Sequence, residues 1–302
     1  MSGAPVAGPL DGFGMDTITL AGSLEAKLDA MRAAGFSQVM LGAPDVAGHP
    51  GGVEGAAAAL RDSGLEPTGF QVLRDFEGLS GHLHDYKVDI AKSMLLMCRA
   101  LGGDVLLACS STSAHATDDT DAIARDLAKL AMLALPLGVR VAYEGLSWGR
   151  TINEYTSAWD VVARADRPNL GVAIDAFHTL AAETPLDALD ELDPTSIFLV
   201  QLSDFMWRGA PSFEERMATA RTFRVFPGEG VHTDALVELV RRLDALGYAG
   251  DYSFEVFNDD YRQLPLETVC ERARASAAWL SRDVLRRAAP LPAWTRGAGR
   301  GG

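Results

Sequence analysis

The sequence predicts an α/β protein of the (β/α)8 TIM-barrel class, built as a single domain. Three observations carry this. Strand-like runs alternate with amphipathic helical runs along most of the chain, which implies parallel pairing through right-handed crossovers. Eight strand–helix units can be counted, the number that closes a barrel. The 302 residues are 48% hydrophobic, enough to bury the core of one such barrel, which takes roughly 250 residues. Alternation alone also suits an open doubly wound sheet. No GxGxxG follows the first strand, however, which weakens the dinucleotide-binding version of that fold.

The expected strands, in order, are DTITL (16–20), QVML (38–41), TGFQV (68–72), DVLLAC (104–109), VRVAYE (139–144), GVAID (171–175), IFLVQ (197–201) and YSFEVF (252–257). Each is rich in apolar and β-branched or aromatic residues, as buried parallel strands are. Between them lie helical patterns such as SLEAKLDAMRAAG, DAIARDLAKLAMLALPLG and TDALVELVRRLDALGYAG. Several end in Gly, the usual stop at a helix C-terminus. The expected organisation is a loose N-terminal segment over 1–15, the barrel over 16–287, and a loose tail over 288–302, both ends being rich in Gly, Pro and Ala. Residues 205–222 are weakly patterned and polar, a candidate lid. No internal repeat or second domain is visible.

Composition excludes several function classes. A net charge of −14 repels phosphate backbones, so nucleic acid is not an expected partner. No apolar run reaches the ~20 residues of a membrane span, and the first residues lack the pattern of a secretory signal. Cys98, Cys109 and Cys270 are widely spaced and form no CxxC, which suits a reducing, cytoplasmic compartment and small buried side chains.

The chemistry-bearing pattern lies at the ends of the later strands. VAYE ends at Glu144, VAID at Asp175 and FLVQ at Gln201, and SFEVF carries Glu255. In a barrel these ends share the face on which active sites are built. Neighbouring strands are about 4.8 Å apart, so the four groups can converge. Three crowded carboxylates repel one another unless they are protonated or share a cation. Three carboxylates and an amide oxygen form a hard donor set, suited to one divalent ion such as Mg²⁺, Mn²⁺ or Co²⁺.

These strand ends resemble the xylose-isomerase-like barrels of the sugar phosphate isomerase/epimerase superfamily. The resemblance covers about residues 16 to 283, in FQVLRDFEG (70–78), YEGLSWGR (143–150), RPNLGVAIDAFHTL (167–180) through IFLVQLSD (197–204), FRVFPGEG (223–230) and SFEVFND (253–259). Within it the chain is similar above all to bacterial 3-dehydroshikimate dehydratases, which place Gln where Gln201 stands; sugar epimerases and inosose dehydratases usually place His there.

The resemblance implies a metal held by Glu144, Asp175, Gln201 and Glu255. The implied activity is dehydration of 3-dehydroshikimate to protocatechuate. His178 is the expected acid/base, with Glu144 and Glu255 as further catalytic carboxylates. The substrate carboxylate needs a forked cation, for which Arg74 and Arg224 are the favoured candidates. Arg150 pairs equally well with a surface carboxylate, and Glu77 is read as holding an arginine. Ser110 is a candidate hydrogen-bond partner for a substrate hydroxyl, or a turn residue.

The alternative is a sugar or polyol isomerase/epimerase that uses Glu144 and Glu255 as metal-bound bases. A non-catalytic ligand-binding barrel is a third reading. Homodimers are what the resemblance implies for assembly. The match departs at MLGAPDVAGHPGG, where an acidic residue is expected near the end of the second strand and Leu41 and Gly42 stand instead. It departs again at the bulky Phe205, Met206 and Trp207. Both departures bear on substrate identity.

Overall fold

The computed structural model describes residues 10–287. Its strands are β1 (Phe13–Asp16), β2 (Gln38–Gly42), β3 (Glu66–Arg74), β4 (Val105–Cys109), β5 (Arg140–Glu144), β6 (Leu170–Asp175), β7 (Ile197–Leu202), β8 (Asp204–Phe205), β9 (Arg224–Val225) and β10 (Tyr252–Phe254). Eight of them close a barrel in the order β1-β10-β7-β6-β5-β4-β3-β2. Every neighbouring pair in it is parallel. β8 and β9 form a separate antiparallel pair above it, with Phe205 opposite Arg224.

The helices are α1 (Leu24–Ala33), α2 (Ala43–Ala47), α3 (Gly52–Ser63), α4 (Gly81–Ala100), α5 (Thr120–Ala134), α6 (Tyr155–Ala165), α7 (Ala176–Ala181), α8 (Phe213–Thr222), α9 (Thr233–Leu246) and α10 (Leu266–Trp279). Local chemistry sets many of their ends. Ser23 caps α1 through the Ala26 N–H, and Asp119 caps α5 through the Asp121 and Ala122 N–H groups. Such caps satisfy donors that a helix start leaves orphaned. α9 stops at Gly247, whose φ of 95° is a conformation that favours glycine.

Strand alternation divides the core in two. In β4, Leu106 and Ala108 join the layer packed between sheet and helices. Val105, Leu107 and Cys109 join a second cluster with Met40, Ala142, Ala173 and Leu199. Glu144 has the parity of Ala142, Asp175 that of Ala173, and Gln201 that of Leu199. Period-2 alternation therefore makes these polar residues the top layer of the inward-facing side.

Two boundary expectations are corrected. The first strand is Phe13–Asp16, and Thr17–Thr19 form a 3-10 turn. Phe13, Met15 and Asp16 are wholly buried, so the barrel's first strand enters the core at Phe13. The aromatic Phe13 stacks on Tyr252 and Phe254 of β10, which selects this register over 16–20. The last strand ends at Phe254, leaving Glu255 just past it. The segment 205–222 is not structureless. It holds α8, opened by a reciprocal cap between Ser212 and Glu215. The expected tail over 288–302 lies outside the described residues.

Candidate metal and substrate site

Register brings the site together. Asp175 of β6 pairs with Gln201 of β7, and Gln201 pairs with Ser253 of β10, two residues before Glu255. Cys109 of β4 pairs with Glu144 of β5. A cavity of about 410 Å³ opens over these ends, lined by Gln71, Arg74, Cys109, Glu144, Trp148, His178, Arg221, Arg224, Glu255 and Phe257, among others.

Each donor is held from behind. Glu144 accepts a hydrogen bond from the Cys109 thiol at Oε2 (2.8 Å), while its Oε1 is buried with no hydrogen-bond partner among the described residues. Asp175 Oδ1 accepts from the Phe177 N–H at 2.7 Å, the N-terminal cap of α7. Gln201 donates from Nε2 to Asp16 at 2.9 Å, and its Oε1 is likewise buried and unpartnered. Arg224, only 2% exposed, donates from Nη1 to Asp175 Oδ2 at 2.8 Å and to Glu255 Oε2 at 2.9 Å. Its Nε donates to the Ala220 carbonyl, and its guanidinium lies 4.5 Å from the centre of the Phe177 ring.

This is an electrostatically deficient site. Glu144, Asp175 and Glu255 face a single buried guanidinium. Burial pushes Glu144 up to about 8, helped by repulsion from Asp175 and Glu255. Burial also raises Glu255 to about 7, against the pull of Arg224. Glu144, Asp175 and His178 present ligand-capable atoms within 4.8 Å of one another. Two orphaned buried oxygens and an excess of carboxylate are what a hard divalent cation would satisfy. The residues present therefore fit such an ion.

His178 has a defined tautomer. The Ser147 backbone N–H points at its Nδ1 at 3.1 Å, so Nδ1 is the acceptor and the ring proton sits on Nε2. Nε2 lies 3.6 Å from Asp175 Oδ2. Burial, with Arg224 nearby, pushes the ring down to about 3, which keeps it neutral. In this state the imidazole presents its Nε2–H as a hydrogen-bond donor.

Other expectations shift as well. Arg224 lines the cavity, but its charge is committed to Asp175 and Glu255. Arg74, at the end of β3, is exposed and lines the cavity, and no carboxylate is within ion-pairing distance of it among the described residues. Arg150 lies outside the cavity and donates to the Ala114 carbonyl. The Ser110 hydroxyl accepts from the Leu146 N–H and holds that turn. Among the described residues Glu77 holds no arginine; it accepts from the Tyr143 hydroxyl at 3.0 Å and from the Ser111 N–H. Of the residues not singled out by sequence, Cys109 reads as a small hydrophobe, Asp16 as one polar residue in an apolar strand, and Arg221 as helix surface. For Cys109 a usable signal was present: it shares the inward parity of Leu107.

The chain belongs to the Xylose isomerase-like TIM barrel family, whose model matches residues 28–282. It is 35% identical over 278 residues to a 3-dehydroshikimate dehydratase of Pseudomonas aeruginosa, covering 91% of this chain and 43% of that protein. A 3-dehydroshikimate dehydratase of Neurospora crassa is 28% identical, covering 87% of this chain and 90% of the relative. An inosose isomerase of Bacillus subtilis is 24% identical, covering 70% and 74% respectively.

Among solved structures, a xylose isomerase-like TIM barrel/4-hydroxyphenylpyruvate dioxygenase fusion protein superposes with a TM-score of 0.83 at 33% identity, over 91% of this chain and 44% of that one. The chain thus spans less than half the length of the Pseudomonas relative and of the fusion protein. An L-ribulose 3-epimerase shares the fold, with a TM-score of 0.71 at 19% identity over 96% of this chain and 99% of that one. Among the described residues, no helix is long and apolar enough to cross a membrane.

Proposed function

We propose that this barrel holds one divalent cation, Mg²⁺, Mn²⁺ or Co²⁺, through Glu144, Asp175, Gln201 and Glu255, and dehydrates 3-dehydroshikimate to protocatechuate. The observation that carries the reading is the pair of buried, unpartnered oxygens, Glu144 Oε1 and Gln201 Oε1, beside a carboxylate-rich cavity. The 3-dehydroshikimate dehydratase relatives supply the substrate. Bound there, the cation would act as a Lewis acid toward charge developing on the substrate ketone, a contribution of several kcal/mol.

The chain's own groups divide the remaining work. Arg74, an exposed guanidinium at the end of β3 that lines the cavity, binds the substrate carboxylate in a forked contact. Arg224 is a positioning residue that keeps Asp175 and Glu255 in place. Proton removal from the carbon next to the ketone falls to a cavity carboxylate, Glu144 or Glu255. His178 donates its Nε2–H to a substrate oxygen. The C–H electron pair becomes the new double bond, the C–O bond to the hydroxyl on the adjacent carbon breaks, the leaving hydroxide takes the abstracted proton back from that carboxylic acid and departs as water, and tautomerisation completes the aromatic ring.

The protein stripped of metal and reloaded with Mg²⁺, Mn²⁺ or Co²⁺ should form protocatechuate from 3-dehydroshikimate, read by the product's absorbance, and Glu255→Ala should not. Absence of product with every metal would remove the dehydratase reading. The inosose isomerase relative favours a second one, in which Glu144 and Glu255 relay a proton on an inosose or ketose, and those substrates would be tried next.

A further inference from the structure

Asp16 lies at the end of β1, on the far side of the ligand ring from Glu144, and is wholly buried. Three side chains converge on it. Gln71 and Gln201 both donate from Nε2 to its Oδ2, at 2.5 and 2.9 Å, and the Ser253 hydroxyl donates to Oδ1. β10 lies between β1 and β7 in the barrel, and Ser253 pairs with both Gly14 and Gln201. The three strands therefore bring these groups level.

We propose that Asp16 is a positioning residue of the metal centre: it fixes the Gln201 amide so that the carbonyl oxygen, not the NH2, faces the ligand set. This rests on the reading of Gln201 as a ligand. A glutamine is a useful hard ligand only through oxygen, and its two ends are nearly the same size and shape. Two amides meet the same oxygen of Asp16. Asp16 Oδ2 accepts from both when both present NH2.

Reversing Gln201 would set its carbonyl against Asp16 and turn its NH2 toward the carboxylate cluster, where it cannot bind a cation. Gln201 Oε1, buried and unpartnered, is the atom this arrangement presents. The amide's orientation is thus decided from β1, two positions round the barrel from the strand that carries Gln201. Partners that orient a ligand in this way are commonly worth 10–100-fold in metal affinity.

The test is Mn²⁺ affinity of the whole chain, measured by the loss of the free-ion EPR signal, with thermal unfolding as a check on folding. Asp16→Ala should bind Mn²⁺ 10–100-fold more weakly. Asp16→Asn should stay within about threefold of wild type, because its carbonyl can take the place of Oδ2 and its NH2 can meet the Ser253 oxygen. A folded Asp16→Ala that binds as tightly as wild type overturns the proposal. Asp16→Asn as weak as Asp16→Ala overturns it too, in favour of Asp16 acting through its charge.

If Asp16→Ala does not fold, the near-isosteric Gln201→Glu decides. It cannot donate to Asp16, so at least tenfold weaker Mn²⁺ binding is expected despite the added negative charge, whereas equal or tighter binding overturns the proposal. Gln201→Leu with unchanged affinity would instead remove Gln201 from the ligand set, and the role of Asp16 with it, whatever turnover the protein shows.

Discussion

Glu144 and Glu77 make an instructive pair. Both are buried carboxylates with one oxygen unpartnered among the described residues. Burial pushes both upward, Glu144 to about 8 and Glu77 to about 7. They are tied to adjacent residues of one strand. Glu144 itself points into the barrel, while its neighbour Tyr143 points outward and donates to Glu77. What separates them is company and space. Glu144 lines a cavity of about 410 Å³ together with Glu255, and lies beside Asp175. Glu77 has a hydroxyl and a backbone N–H for partners and borders a crevice of only about 10 Å³. A perturbed buried carboxylate is therefore not by itself a site; convergence of several on an accessible cavity makes one.

The largest expected effect tests the first half of that contrast. Glu144→Gln should lower kcat/KM by about 10³-fold or more and weaken Mn²⁺ binding, since one carboxylate ligand is lost. Near-normal turnover would place Glu144 in the same class as Glu77. His178→Ala should reduce kcat by about 10²–10³-fold, the usual cost of losing a preorganised donor at developing charge, with little change in metal affinity. A large loss of Mn²⁺ binding in that variant would make His178 a ligand instead.

Arg74→Ala should raise KM by about 10–100-fold, because charge-assisted hydrogen bonds contribute roughly 1.5–3 kcal/mol. An unchanged KM on the true substrate would point to a substrate without a carboxylate.

Glu77→Gln is the quiet counterpart: turnover should stay within about threefold. Its effect should appear in stability against pH. Because the folded Glu77 titrates at about 7 and the ordinary value is 4.5, its contribution is favourable below 4.5 and is lost as pH rises toward and through 7. The variant should therefore gain stability relative to wild type across that interval, by on the order of 3 kcal/mol at pH 8. Denaturant unfolding of both proteins from pH 4 to 8 would check it, and a flat difference would mean Glu77 is not penalised by burial.

Much of this molecule was legible from residue order. All eight barrel strands lie within a few residues of where apolar runs place them, because fully buried parallel strands must be continuously apolar. The inward-facing strand-end positions of Glu144, Asp175 and Gln201 were legible too, since parity fixes which side chains face the barrel axis. The start of the barrel was misjudged because Thr17–Thr19 is as strand-like by composition as Phe13–Asp16. Stacking of Phe13 on β10 selects between them.

By itself, then, the sequence determined the barrel, the side of each strand that faces its axis, and the excess of carboxylate at one end, all consequences of local periodicity and composition. Tertiary structure alone decided which cation went where. Arg224 was drawn between Asp175 and Glu255 by the β8–β9 pair, Arg150 was left outside, and Arg74 stands at the cavity. It also decided the proton on His178 and the orientation of Gln201, set by Ser147 and Asp16 from distant stretches of chain. Hydrogen-bond direction depends on what lies opposite in space, and spacing along one chain does not encode it.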